Sequence, residues 1–224
     1  MRNLLQKLPF PVEFAVVVAG AFGLSIITCL LVVLHVQPES GQSEPELWRE
    51  VALQAVTLVV LGLFLKGRGW TAARLGLDSH WSDGAWGLAL AAGGTIAVFV
   101  VYILVASAAP QLAHSIGKDT PHPAALSPYI VAAIIFVTSF YKEFFVSGYV
   151  ITALKDKGLL NIGVNVSVMI RLLYHLDEGV LGVLLIIPVG LIFATWYART
   201  GKLWPLIVAN ALINAMAYVP QMKW

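Results

Sequence analysis

The stretch that decides the fold is residues 127–154, SPYIVAAIIFVTSFYKEFFVSGYVITAL. Nearly all of it is apolar, and as a helix it is long enough to cross about 30 Å of hydrocarbon. Lys142 and Glu143 lie in its interior, where an uncompensated charge costs at least about 2.5 to 3.5 kcal/mol. We therefore predict a membrane helix that is tilted, bent or partly covered, with its charges facing other helices.

The composition of the whole chain supports a membrane protein. Of its 224 residues, 59% are hydrophobic and 12% are charged, against about 25% charged residues in soluble domains. A soluble enzyme is excluded on this ground. The 14 basic and 12 acidic residues lie mostly between apolar runs, so no basic arm indicates a nucleic-acid partner. Cys29 is the single cysteine, and it permits neither a disulfide framework nor a thiolate metal cluster.

Apolar runs separated by short polar segments predict about seven transmembrane helices. We expect an all-α, polytopic membrane helix bundle that forms a single domain over residues 1–224. The first run follows Arg2 and Lys7 but is too long for a signal peptide, so we expect a retained helix. The predicted spans are 11–36, 51–65, 85–107, 127–154, 160–176, 180–198 and 203–219.

The distribution of charged residues between the loops predicts the orientation. Most lysines and arginines fall on one side, which we expect to be cytoplasmic, so the N-terminus is predicted inside and the C-terminus on the opposite side. The residues on the basic side are Arg2, Lys7, Lys66, Arg68, Arg74, Lys155, Lys157, Arg199 and Lys202. The opposite loops carry Glu39, Glu44, Glu46, His114, Lys118, Asp119, His122, Asp177 and Glu178.

Polar residues also recur inside three of the predicted helices. Spacing of i,i+4 places the members of each pair on one helical face: Glu143 with Ser147, Arg171 with His175, and Asn210 with Asn214. At 1.5 Å per residue from the basic side, Glu143 lies at a depth of about 18 Å and Asn214 at about 16 Å, whereas Asn210 lies at about 10 Å. Arg171 lies at about 16 Å and His175 at about 22 Å. We therefore predict that Glu143, Arg171, His175 and Asn214 lie at similar depths and can contact one another.

Each of these residues also has a structural interpretation. The two asparagines could simply form interhelical hydrogen bonds. His175 could be a helix-end residue beside Asp177 and Glu178. Lys142 lies too far from either end of its long helix to reach an interface easily, so we expect it to be ion-paired.

Three of these segments carry a family resemblance. Residues 142–149, KEFFVSGY, resemble the Glu-Glu-x-x-x-Arg-Gly motif of the CPBP family, the CAAX proteases and bacteriocin-processing proteins, also called Abi. Residues 171–175, RLLYH, are similar to that family's Phe-x-x-x-His element, and residues 210–214, NALIN, to its His-x-x-x-Asn element. Residues 190–205 are similar to the family's link between its last two core helices. Together these segments extend the resemblance over a core at 127–219. Residues 1–126 then supply three additional helices and loops, with a weaker match at 73–78.

The resemblance implies an intramembrane endopeptidase for prenylated or membrane-proximal peptides, in which Glu and His activate a water and some accounts assign a metal. Glu143, Gly148, His175 and Asn214 match the family's functional positions. Four other positions differ: Lys142 replaces the first Glu, Ser147 the Arg, Arg171 the Phe and Asn210 the His.

These replacements change the charge of the predicted site from acidic to basic. Cations near Glu143 would repel a divalent metal, so we predict no metal and no cofactor. Lys142, Arg171 and Ser147 form a predicted buried charge cluster, in which Arg171 takes over the ion pair with Glu143. We expect a catalytically impaired protein, a pseudoenzyme, that acts in the lipid bilayer as a binding or assembly subunit with a membrane-protein partner.

Two alternatives remain open. The first is an active, divergent endopeptidase in which Glu143 and His175 activate water while Asn210 and Asn214 position the oxyanion; zinc is expected only in this case. The second is a transporter or lipid-handling protein whose buried charges mark a permeation path.

Overall fold

The computed structural model describes residues 8–36, 43–113 and 126–223. Within these ranges seven helices have 14 residues or more, and the isolated bridge between Leu126 and Met222 is the one β-type contact. The prediction of an all-α bundle is confirmed. The helices are α1 Phe10–Val33, α2 Glu44–Gly67, α3 Asp83–Ala108, α4 Pro128–Lys155, α5 Leu160–Leu173, α6 Gly179–Thr200 and α7 Trp204–Tyr218.

The lengths of the helices are those of a multi-pass membrane protein. Among the described residues, five segments are long and apolar enough to cross a membrane: α1, α2, α3, α4 and residues Leu176–Thr200, which include α6 and the 3-10 turn before it. The helices α5 and α7 are shorter. The predicted loop residues Arg2, Lys7, Glu39, His114, Lys118, Asp119 and His122 lie outside the described residues.

The second span begins earlier than predicted. The structure starts α2 at Glu44, whereas the predicted span began at residue 51. A capping box explains the early start, because the Ser43 backbone N–H and hydroxyl donate to Glu46 Oε2 over 3.1 and 2.6 Å. Pro45 and acidic side chains also favour the first turn of a helix.

The central helix of the bundle is α4. In its most apolar window 61% of the residues are buried, compared with 17 to 22% in the other long spans. Two segments of α4 are π-helical, Ile134–Thr138 and Phe144–Tyr149. Such wide turns are rare and are found frequently at functional sites. The second one directly follows Glu143 and contains Ser147.

Contacts between loops define the two ends of the bundle. At the basic end, Arg74 Nη2 lies 2.6 Å from Asp156 Oδ2, and the Leu203 N–H donates to the Gly76 carbonyl over 2.8 Å. At the opposite end, Ser127 Oγ donates to Glu44 Oε1 over 2.6 Å, and the Leu126 N–H donates to the Gln221 carbonyl over 2.8 Å. At each end, the described loops that contact one another are loops that the charge distribution predicted to lie on the same side. Which end faces the cytoplasm stays a prediction.

A buried carboxylate that the sequence analysis missed connects α1 to the rest of the bundle. Glu13 is 5% exposed and accepts hydrogen bonds from Arg68 Nε over 2.5 Å, Trp70 Nε1 over 2.9 Å and the Tyr149 hydroxyl over 3.3 Å. The available signal was an acidic residue inside the first apolar run, predicted on the same side as Arg68 and Trp70. This cluster is structural, since it joins α1, the end of α2 and α4.

One hydroxyl connects α6 to α4 and to the turn before α3. Tyr197 Oη lies 2.8 Å from Thr152 Oγ1, 3.0 Å from the Leu75 carbonyl and 3.3 Å from the Gly148 carbonyl. We expect Tyr197→Phe to lower the free energy of unfolding by about 1 to 2 kcal/mol, because buried acceptors lose their donor. Thermal unfolding in mild detergent measures the change.

The matched control is Tyr129→Phe, since the Tyr129 side chain is 79% exposed. It should leave the melting temperature unchanged. Equal melting temperatures for Tyr197→Phe and wild type would contradict a stabilising role for the Tyr197 hydroxyl.

Candidate functional site

The candidate site is built around the carboxylate of Glu143, which is fully buried at the middle of α4. Its Oε2 atom accepts hydrogen bonds from Arg171 Nη2 over 2.8 Å and from Ser147 Oγ over 2.7 Å. Its Oε1 atom accepts from Asn210 Nδ2 over 3.1 Å. Three helices therefore each supply a donor to one carboxylate: α4, α5 and α7.

Arg171 reaches this carboxylate from the last turn of α5. The residue is 5% exposed, and its guanidinium carbon lies 5.5 Å from the centroid of the Phe193 ring on α6. Its Nη2 atom also donates to Ser147 Oγ over 3.3 Å, so the guanidinium contacts the position where the family motif has its arginine. Charge and hydrogen bonding together make Glu143 and Arg171 a neutral buried pair.

Lys142 lies apart from this network. Its Nζ atom is 5.1 Å from the centroid of the Tyr174 ring, and among the described residues no carboxylate forms an ion pair with it. The carboxylates of Glu50 and Glu178 act on it at longer range. The expected ion pairing of Lys142 is therefore replaced by a cation–π contact, because adjacent residues of a helix point in directions about 100° apart.

His175 and Asn214, two residues that match the family motifs, also lie outside the Glu143 network. The His175 ring pairs through Nδ1 with the carboxylate of Glu178, three residues along the chain. Asn214 Nδ2 donates to Ser139 Oγ over 2.9 Å. The structure therefore brings together Glu143, Ser147, Arg171 and Asn210, and gives His175, Asn214 and Lys142 other partners.

The depth expected for the two asparagines was wrong. Asn210, predicted nearer the basic end, bonds to Glu143, whereas Asn214, predicted at its level, does not. The reason is the position of the start of α7. Leu203, the residue before α7, is fully buried and packs against Gly148: a Cβ added at Gly148 would lie 3.2 Å from Leu203 Cδ2. Gly148 is itself about 10 Å inside α4, so α7 starts that far within the bundle.

The described residues do not fit a metal ion. Among them, no group of three or more His, Cys, Asp and Glu side chains is placed to hold one. Both oxygens of Glu143 are engaged by donors, and Arg171 adds a positive charge at the same carboxylate. A zinc site needs several anionic or neutral ligands around one point, whereas the carboxylate here is already paired with a cation.

Comparison with known proteins gives a family match over the site. The family model described as Rce1-like, type II CAAX prenyl endopeptidase Rce1-like, matches residues 124–216. No curated protein and no solved structure matches the chain. The match confirms the predicted resemblance to the CPBP family over a segment that contains the whole Glu143 network. The long apolar helices are those of a multi-pass membrane protein.

Proposed function

We propose that this protein is a catalytically impaired CPBP-type membrane protein that acts as a binding or assembly subunit in a membrane complex. The observation that supports the proposal is the burial and hydrogen bonding of the Glu143 carboxylate. This carboxylate has no exposed surface, and donors from three helices engage both of its oxygens. It holds the bundle together instead of facing a substrate.

A general base must present a free lone pair to the water that it activates. Glu143 accepts three hydrogen bonds, which leaves one of the four lone-pair sites of a carboxylate, and complete burial of the side chain keeps water from that site. The first Glu of the family motif, the other candidate base, is Lys142 here. The His175 ring is paired with Glu178, away from the Glu143 carboxylate. The proposed role therefore depends on recognition by the bundle and not on hydrolysis.

The orientation is part of the proposal. The basic end, with Arg68, Arg74, Lys155 and Lys202, is placed in the cytoplasm because positive residues are retained on that side of a membrane. The described chain starts at this end with Leu8 and finishes at the opposite end with Lys223.

The first experiment compares peptide cleavage by wild type, Glu143→Gln and His175→Ala in mild detergent, with an active family member as the positive control. A quenched fluorescent peptide carrying a prenylated cysteine reports the reaction. We expect no cleavage above the protein-free rate for any of the three proteins. Cleavage by wild type that both substitutions abolish would overturn the proposal and establish the endopeptidase alternative.

The second experiment tests the assembly role in the same preparation. The protein is extracted from its own membranes in mild detergent, and co-purifying proteins and bound zinc are quantified. We expect a membrane-protein partner in a fixed ratio to the chain and less than about 0.1 zinc per chain. Recovery of the chain alone would contradict the assembly role, and one zinc per chain that His175→Ala removes would contradict the metal-free site.

A further inference from the structure

A small polar cleft lies between α2, α4 and α7, and it extends from the middle of α4 toward the opposite end of the bundle. The space within it open to water-sized molecules is about 50 Å³. Its polar lining consists of Glu50 from α2, Thr138 and Lys142 from α4, and Asn214 and Tyr218 from α7; the rest of the lining is aliphatic. Glu143 and the donors that engage it lie outside this lining.

Lys142 is the cationic group of this cleft, and its side chain is partly exposed. Its ammonium can donate three hydrogen bonds, but among the described residues its one close partner is the face of the Tyr174 ring. An ammonium at the middle of a membrane helix requires an anion or oxygen acceptors beside it. The source of that anion determines what the cleft binds.

Glu50, the carboxylate in the lining, lies at a different level from Lys142. The hydrogen bonds from Ser127 to Glu44 place the starts of α2 and α4 at one level. Measured from these starts at 1.5 Å per residue, the Glu50 backbone lies about 9 Å inside the bundle and the Lys142 backbone about 21 Å inside. Glu50 is exposed, and its Oε1 atom accepts a hydrogen bond from Gln54 Nε2 over 2.8 Å. It therefore acts on the ammonium only at longer range.

Two other carboxylates act on Lys142, and each has a closer partner. The Glu143 carboxylate is paired with Arg171 over 2.8 Å, and the Glu178 carboxylate is paired with the His175 ring. Neither forms an ion pair with Lys142 among the described residues. Close neutralisation of the ammonium therefore needs an anion from outside these residues.

The remaining polar groups of the lining are hydrogen-bond donors. The hydroxyls of Thr138 and Tyr218 form no hydrogen bond with the residues that the structure describes. Asn214 Nδ2 donates to Ser139 Oγ with one of its two N–H groups, which leaves the second. Together with the ammonium of Lys142, these donors favour an anion in the cleft, whereas a cation would be repelled.

We propose that this cleft binds one chloride ion, which is the counter-ion of Lys142 and stabilises the bundle. One water needs about 10 to 15 Å³ of such space, so a cleft of about 50 Å³ holds a monatomic anion with the waters that complete its shell. The ion lies beside Lys142 and accepts hydrogen bonds from the donors of α4 and α7. It enters from the water at the opposite end, past Glu50. This ion site goes beyond the proposed function and does not depend on it.

The test measures thermal unfolding of the purified protein in mild detergent while sodium chloride replaces sodium gluconate. The total salt stays at about 0.15 M, so that screening of surface charges is constant. We expect the melting temperature of wild type to rise with the chloride concentration and to saturate as for one site. Bromide is close to chloride in size and should have the same effect, whereas gluconate is too large for the cleft.

Two substitutions should change the chloride effect in opposite directions. Lys142→Met should abolish the difference between chloride and gluconate, because the anion loses its cation. Glu50→Gln should lower the half-saturating chloride concentration about three- to tenfold, because a repelling charge about 12 Å away is removed. Since Glu50 is exposed, this second variant remains informative if Lys142→Met fails to fold. Lys155→Met, which changes an exposed lysine at the other end of the same helix, is the control and should respond to chloride as wild type does.

Equal melting temperatures of wild type in chloride and in gluconate would overturn the proposal, as would an undiminished chloride effect in a folded Lys142→Met. Weaker chloride binding by Glu50→Gln would also contradict it, since an anion beside Lys142 must be repelled by that carboxylate. The melting temperature is measured without a peptide substrate or a partner protein. Failure of the chloride site therefore leaves the proposed non-catalytic role intact, whereas peptide cleavage by wild type would overturn that role alone.

Discussion

Arg171→Phe should lower the free energy of unfolding by about 3 to 5 kcal/mol, the cost of removing one partner of a buried ion pair. The substitution leaves the Glu143 carboxylate fully buried with only Ser147 and Asn210 as neutral donors. Equilibrium unfolding in detergent, or the fraction that elutes as a folded monomer, measures the loss. The control Arg199→Phe changes an exposed residue at the basic end and should have little effect.

A second substitution should rescue the first. The double variant Ser147→Arg/Arg171→Phe moves the guanidinium to position 147, where the family motif has its arginine. In the wild type, Arg171 Nη2 already lies 3.3 Å from Ser147 Oγ. The new phenyl ring would lie beside Gly190 and the Phe193 ring, where the Arg171 side chain packs now. We expect the double variant to recover at least about half of the lost stability, a coupling of the size seen between residues in contact.

Ser147→Arg alone should be destabilising, because it brings a second guanidinium to one carboxylate. A double variant as unstable as the sum of the two single variants would refute the idea that one positive charge has moved within the site. Wild-type stability of Arg171→Phe alone would refute the structural importance of the ion pair.

Gly87→Val should lower the free energy of unfolding by about 3 kcal/mol, because it overpacks the contact between α3 and α7. A Cβ at Gly87 would lie 2.5 Å from Val208 Cγ1 and 3.1 Å from the Pro205 carbonyl oxygen. Small residues at such positions let membrane helices approach closely. A branched side chain there forces the two helices apart, and the melting temperature in detergent records the effect.

The same helix offers a matched control. A Cβ at Gly93 would meet nothing within 4 Å, so Gly93→Val should leave the melting temperature close to that of wild type. Equal losses for the two variants would show that helix propensity, and not the α3–α7 contact, determines the result.

The sequence alone predicted the structural features that depend on the local geometry of the chain. The apolar runs predicted seven helices, and the spacing of Glu143 and Ser147 predicted that both lie on one face, where the structure joins them by a 2.7 Å hydrogen bond. Periodicity is a local property of the chain, so it can be read without knowing the neighbouring helices.

The partners between helices could not be predicted in this way. Asn210 and Asn214 lie on one face of α7, but which of them reaches Glu143 depends on the burial of Leu203 inside the bundle. Lys142 could meet either a carboxylate or an aromatic ring, and only the rotation of α4 against α5 determines that it meets Tyr174. Depth and rotation are tertiary properties, and counting along straight helices omits them.

The two π-helical segments of α4 make the length of this helix as important as its composition. A wide turn takes up one residue more than an α-helical turn, so residues beyond it point in different directions from those of an uninterrupted helix. If all residues of 144–149 were kept but wound as a regular α-helix, Val150–Lys155 would be rotated by about 100° relative to Glu143. That rotation would turn the buried Ile151 and Thr152 away from their present neighbours. The wide turn therefore lets this span contain one residue more than a regular helix while the buried faces on both sides of it keep their neighbours.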